Sequence, residues 1–174
     1  MPDREPRWLT PEQQRIWRDW LRVIAWTTDR FNSDLRAHQL DLNEYEVLVV
    51  LSEAPNHSMR MSQVAQGANQ SRSRLTHTIG RMERAGLVVR ETASEDRRGV
   101  VATLTDAGYE KLRQASIDHV ESVRRALLDP IDPEDWRVLG RAMRAVLDTA
   151  GIPHQPIPVA DAEAPTTNAV DDTR

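Results

Sequence analysis

Residues 62–104 carry the feature that most limits how this chain can fold: two short capped helices in series, then two β-branched runs. Ser62 is a candidate N-cap for a short helix bearing Val64, Ala65 and Ala68, because a serine oxygen accepts from the orphan N–H groups of a first turn. A polar break follows at Asn69-Gln70, and Ser71 caps a further helix from about Arg72 to Arg84. On that helix Leu75, Ile79 and Met82 fall on one face, which leaves Arg72, Ser73, Arg74, Thr76, His77 and Arg81 facing outward. Ala85-Gly86 ends it with a residue suited to left-handed backbone. Leu87 to Thr92 and Val100 to Leu104 then read as a β-hairpin across a polar, glycine-containing turn. Two capped helices and a hairpin make a helix-turn-helix with a wing.

Long helices flank this unit. Thr10-Pro11-Glu12-Gln13 is a capping box with proline at the first helical position. The helix it opens runs to about Ala37, with Trp17, Leu21, Ile24, Phe31 and Leu35 at helical spacing and Thr28 filling one turn of the stripe. Four of the five tryptophans lie in this first segment, more aromatic surface than one helix hides on a small domain, so a partner subunit is expected to cover it. Asn43 is read as the cap of a second helix carrying Tyr45, Val47, Leu48, Val50 and Leu51, ended by Pro55-Asn56. Thr105 caps a helix through Leu112, Ile117, Val120, Val123 and Leu128, and Asp132-Pro133-Glu134 opens a last one through Trp136, Leu139, Met143 and Val146. The expected fold is mainly α with a small β-hairpin wing: a winged helix-turn-helix with N- and C-terminal dimerisation helices. Residues 1–9 form an arm, 10–55 a dimerisation helix and a supporting helix, and 56–104 the winged region. Residues 105–150 supply further dimerisation helices, and 151–174, rich in Pro, Ala, Asp and Thr, read as a disordered tail.

Charge sharpens this picture. The chain carries a net −4, yet residues 56–100 hold eight arginines against four acids, so a basic centre sits between acidic flanks. That distribution suits a segment that meets phosphate while the remainder stays soluble. The 174 residues contain no cysteine, which excludes disulfides, thiolate zinc sites and thiol redox sensing. No run is apolar enough for a membrane span and the N-terminus lacks a secretory h-region, so the expected compartment is the cytoplasm. The five histidines are dispersed without metal-ligand spacing, and no nucleotide loop or hydrolase elbow is present; neither catalytic residues, metal nor cofactor is expected.

The segment Ser71-Arg72-Ser73-Arg74-Leu75-Thr76 running into Met82-Glu83-Arg84-Ala85-Gly86-Leu87-Val88, then Asp96-Arg97-Arg98 and Leu104-Thr105-Asp106-Ala107-Gly108, resembles the MarR family of bacterial transcription regulators. So does Leu42-Asn43-Glu44-Tyr45-Glu46-Val47-Leu48, and the likeness extends from about Trp17 to Ala150. The resemblance implies a homodimer with interleaved terminal helices, a winged motif on each subunit, and repression relieved by a small, often phenolic, molecule. The chain departs from the family at Gly80, where a polar or acidic residue is common, and in lacking the cysteines of peroxide-sensing members.

An α-helix fits the major groove with its N-terminal residues at the base edges. Arg74, His77 and Ser73 are therefore assigned to base reading, and Arg72 and Arg81 to phosphate, with Ser71 and Thr76 beside them. By resemblance Arg98 enters the minor groove while Asp96 and Arg97 orient or flank it. Trp17 and Trp20 could line a pocket for a small aromatic effector, although dimer core is the stronger reading. The resulting expectation is a repressor on a pseudo-palindromic double-stranded operator. The alternative is a winged-helix adaptor that binds protein and has no DNA site.

Overall fold

A computed structural model describes residues 6–92 and 99–152. The first helix, α1 (Pro11–Leu35), starts at the expected capping box: Thr10 Oγ1 accepts from the Gln13 amide, and the Gln13 side chain accepts from the Thr10 amide at 2.9 Å. Every residue from 11 to 26 is exposed, and the buried positions of α1 are Thr27 and Leu35. The stripe thus turns inward at Thr27, whose hydroxyl donates to the Val23 carbonyl at 2.8 Å, and not at Thr28, which faces solvent.

Helix α2 (Leu42–Ser52) is apolar on nearly every side, and Tyr45, Val47, Leu48, Val50 and Leu51 are all buried, as befits a helix enclosed by its neighbours. Its cap is Asp41, not Asn43: the Asp41 carboxylate accepts from the Glu44 amide and Glu44 returns the bond to the Asp41 amide at 3.0 Å. Both residues are good caps and each has a glutamate three positions on, Glu44 and Glu46, so the spacing alone does not choose between them; in the fold the reciprocal pair is Asp41 and Glu44.

A short strand, β1 (Ser58–Arg60), precedes α3 (Met61–Gly67), whose cap position is Arg60 with no side-chain bond; the expected Ser62 cap lies inside the helix instead. Helix α4 (Arg72–Arg84) is followed by β2 (Val88–Thr92) and β3 (Val100–Leu104). The hairpin is therefore part of a three-stranded antiparallel sheet in the order β1-β3-β2, with Ala102 opposite Met59 on one side and Arg90 on the other. Three residues are too few to show a period-two pattern, so β1 was not legible.

Helix α5 (Asp106–Val123) begins at Thr105, whose hydroxyl accepts from the Gly108 amide at 3.0 Å, and runs into a π-helical turn over Arg124–Leu128. The last helix, α6 (Pro133–Ala150), is capped by Asp132 and closed by Gly151 in left-handed backbone, and it buries no residue. One core joins Leu35, Leu48, Leu51, Val64, Leu75, Ile79, Met82, Val88, Ala102 and Leu112. That core belongs to the winged unit, α2, the last residue of α1 and one side of α5. Large apolar side chains of α1 and α6 remain outside it: Ile16, Trp17, Leu21 and Ile24 on α1, and Val138, Met143 and Val146 on α6. No helix among the described residues is long and apolar enough to cross a membrane.

Candidate nucleic-acid interface

Helix α4 is held by its buried face and by two polar ties to α2. Leu75, Ile79 and Met82 are each at most 1% exposed, as their spacing requires. Ser71 Oγ accepts from the Arg74 amide at 3.3 Å and so caps the first turn. Gln70, just before that cap, is buried: its Nε2 donates to the Asn43 carbonyl of α2 at 2.9 Å, and its Oε1 accepts from the buried Thr78 hydroxyl at 3.1 Å. A residue that reads as part of a polar break is thus the bolt between α2 and α4. Arg81 provides the second tie, donating to Asp41 at 2.7 Å and to Glu44 at 2.9 Å.

The cations around α4 fall into two sets. Those toward its C-terminal end are engaged within the fold: Arg81 as described, Arg84 with the Gly80 carbonyl at 3.0 Å, and Arg90 of β2 with Glu83 at 2.5 Å. Toward the N-terminal end, Arg72, Arg74 and His77 are exposed, and their side chains meet no partner among the described residues. A phosphate at Arg81 would have to compete with two carboxylates, so that residue serves α4's position.

Two concavities flank α4. On the α2 side lies a groove of about 480 Å³ lined by Asp41, Asn43, Ser73, Arg74, His77 and Arg81. On the side of the sheet lies a notch of about 420 Å³ that includes Arg60, Ser62, Arg72, Thr76 and Val100. Thr76 donates to the Arg72 carbonyl at 2.9 Å, which leaves its oxygen only as an acceptor. Gly80 borders open space, so its lack of a side chain makes room for no neighbour among the described residues. Asp96, Arg97 and Arg98 lie outside the described residues. Trp17 and Trp20, 50% and 38% exposed, stand on the uncovered face of α1. Among the described residues no group of three His, Asp or Glu converges as a metal site would.

The fold and much of the sequence match known proteins. AbsC, a MarR family transcriptional regulator from Streptomyces coelicolor, superposes with a TM-score of 0.80 and 43% identity over 84% of this chain and 99% of that one. The chain belongs to the MarR family. The MarR family model itself matches residues 38–99, which span α2 to the wing. Sco3205, a MarR family regulator of the same organism solved in complex with DNA, is 39% identical with a TM-score of 0.81, over 84% of this chain and 92% of that one. The transcriptional regulator PecS of Dickeya dadantii is 31% identical over 100 residues, 56% of this chain and 59% of that protein. The chain thus spans about three fifths of the length of the first curated relatives it matches.

Proposed function

We propose that this MarR-family chain is a homodimeric, sequence-specific DNA-binding repressor without catalytic activity, acting in the cytoplasm on a pseudo-palindromic operator and released by a small molecule. The observation that carries the reading is the trio Arg72, Arg74 and His77 at the N-terminal end of α4, whose side chains meet no partner among the described residues, with Arg74 and His77 lining a polar groove. A folded protein that pairs Arg81, Arg84 and Arg90 but leaves these three cationic or titratable groups in solvent has reserved them for an external anion. That Sco3205, at 39% identity, was solved with DNA supports the same partner.

In this reading α4 enters the major groove, Arg74 and His77 with Ser73 meet base edges, and Arg72 meets phosphate, with Ser71 and Thr76 at the rim. Arg98 supplies the minor-groove contact, flanked by Asp96 and Arg97. Residues 56–104 thus carry recognition, while 10–55 and 105–150 carry assembly. Trp17 and Trp20 belong to the subunit interface, and the effector acts between the two regions.

Selection from a pool of random-sequence duplexes tests this. The wild type should enrich a pseudo-palindrome with half-sites about one helical turn apart, and its affinity should fall steeply with salt. Arg74→Ala should flatten discrimination between the selected and random duplexes, whereas Arg72→Ala should weaken both alike. Arg98→Ala should cost about 1–3 kcal/mol of binding with the fold intact. Failure to enrich any duplex, or binding indifferent to salt, overturns the proposal and favours an adaptor that binds protein.

A further inference from the structure

We infer that Asn32, in the closing turns of α1, is a positioning residue for DNA recognition: through the first turn of α2 it fixes where α4 stands relative to the assembly helices. This rests on the DNA-binding reading and gives a role in base selection to a residue outside the winged unit.

The first N–H groups of a helix have no partner inside it, so whatever accepts from them decides what the helix is tied to. The Leu42 amide, at the first position of α2, donates to Asn32 Oδ1 of α1 at 2.9 Å. Asn32 Nδ2 in turn donates to the Thr28 carbonyl at 2.9 Å, so both ends of its side-chain amide are engaged. The same turn of α2 holds α4. Asp41 Oδ1 and Glu44 Oε2 close the capping box, accepting from the Glu44 amide at 2.9 Å and the Asp41 amide at 3.0 Å. The other oxygen of each carboxylate, Asp41 Oδ2 and Glu44 Oε1, accepts from the two arms of the Arg81 guanidinium at 2.7 Å and 2.9 Å. The Asn43 carbonyl takes the side-chain amide of Gln70, just before α4.

Four successive residues thus knot three helices: Leu42 faces α1, while Asp41, Asn43 and Glu44 grip α4 or the residue that leads into it. Because each carboxylate serves the cap with one oxygen and Arg81 with the other, the start of α2 and the body of α4 move together. In the proposed dimer α1 belongs to the frame shared by both subunits, so the bonds running from Asn32 to Arg81 set the depth and tilt of α4 against that frame. Base edges are read only when a side chain is held within about 0.5 Å of its productive place. Phosphate contacts carry no sequence information. Loss of the Asn32 bond therefore falls on discrimination between duplexes, not on attraction to DNA in general.

The test uses the full-length protein and three duplexes: the selected operator, the same operator with one base pair inserted between its half-sites, and a random duplex. Affinity is measured across a potassium chloride series. Asn32→Leu should bind the selected duplex about threefold to tenfold more weakly, the worth of one hydrogen bond. Its affinity for the random duplex and its salt slope should stay as in the wild type, because no cation is removed. It should also reject the inserted duplex less strongly, a readout that a merely structural role would not move. Asn32→Asp, which keeps an oxygen for the Leu42 amide, should restore most of the preference. Leu42→Pro deletes the bonded N–H where proline suits a helix start, and in that background Asn32→Leu should cost nothing further. Should Asn32→Leu not fold, Leu42→Pro carries the same comparison of duplexes. Arg81→Gln should lower discrimination without lowering the slope, and its loss combined with that of Asn32→Leu should fall short of the product of the two. A folded Asn32→Leu dimer with wild-type preference, or a double loss equal to the product, overturns the inference. So does a slope lower by about 0.9 in Arg81→Gln, which would put that arginine on a phosphate. In each of these cases a wild type that still selects a duplex leaves the DNA-binding reading standing, whereas a wild type that binds no duplex overturns both.

Discussion

Gln70 shows how much one buried amide can decide. It bridges the Asn43 carbonyl and the buried Thr78 hydroxyl, so Gln70→Met, of similar volume, removes a tie to a carbonyl that keeps its bond within α2 and leaves the Thr78 hydroxyl without its acceptor. Each buried group left unsatisfied costs about 1–3 kcal/mol. Urea denaturation should show a loss in that range, and Thr78→Val should cost less in the Gln70→Met background than in the wild type, because the stranded hydroxyl is then gone. Equal costs in both backgrounds would refute the coupling. His119 of α5 is the second residue with a consequence. Its ring lies 5.2 Å from Phe31 and 4.4 Å from Tyr45, and its buried Nδ1 meets no hydrogen-bond partner among the described residues. Burial lowers its pKa below the ordinary 6.5, with Asp34 pulling weakly the other way. The unfolded chain therefore binds the proton more readily, so this residue's contribution is intact above about pH 6.5 and is lost as pH falls toward the lowered folded value. His119→Phe should flatten that part of the stability profile between about pH 7 and pH 5, followed by urea midpoints. A slope unchanged by the substitution would remove His119 as its source.

At the scale of elements, the joint between the wing and α5 leaves no room for a side chain at Gly108. A Cβ on Gly108 would stand 2.2 Å from the Leu87 carbonyl oxygen and 2.7 Å from Leu104 Cδ1. Glycine is required there because α5 starts directly against the turn leading into β2. The Leu87 carbonyl is itself bonded by the Thr105 amide at 3.1 Å, so backbone would have to move to admit even a methyl group. Gly108→Ala should cost about 1–3 kcal/mol, the usual range for overpacking, and lower the thermal midpoint accordingly. Gly86 is needed for a different reason, its left-handed backbone with φ of 73°, and has open space around it. The motif Leu104-Thr105-Asp106-Ala107-Gly108 was visible in the sequence, but the reason for its glycine is a contact with a residue 21 positions earlier.

For the whole molecule, the decisive fact is the apolar surface that a single copy leaves uncovered. Trp17, Leu21 and Ile24 of α1 are 50%, 46% and 43% exposed, and Val146 of α6 is 69% exposed, far more than scattered surface apolars would give. In the proposed dimer these faces meet. Trp17→Glu combined with Leu21→Glu should therefore yield a monomer by sedimentation that retains its helical circular dichroism, since neither side chain enters the subunit core. A dimer unchanged by both substitutions would place the interface elsewhere. Deleting residues 155–174 should change neither assembly nor DNA binding.

Sequence alone determined what depends on local chemistry. The caps at Thr10, Ser71, Thr105 and Asp132, the inward face Leu75-Ile79-Met82, the enclosed apolar set of α2 and the outward face of α4 all follow from interactions within a few residues of chain, and each is present in the fold. At Asp41 and Asn43, each followed by a glutamate three positions on, local sequence left two caps open, and the fold uses Asp41 with Glu44. Tertiary structure decided which polar groups are occupied. Arg72 and Arg81 look alike as outward arginines on one helix, and only α2, some 40 residues earlier in the chain, engages one of them and leaves the other in solvent. Gln70, Gly108 and β1 escaped for the same physical reason: hydrogen bonds and close approaches between distant segments have no period in the sequence.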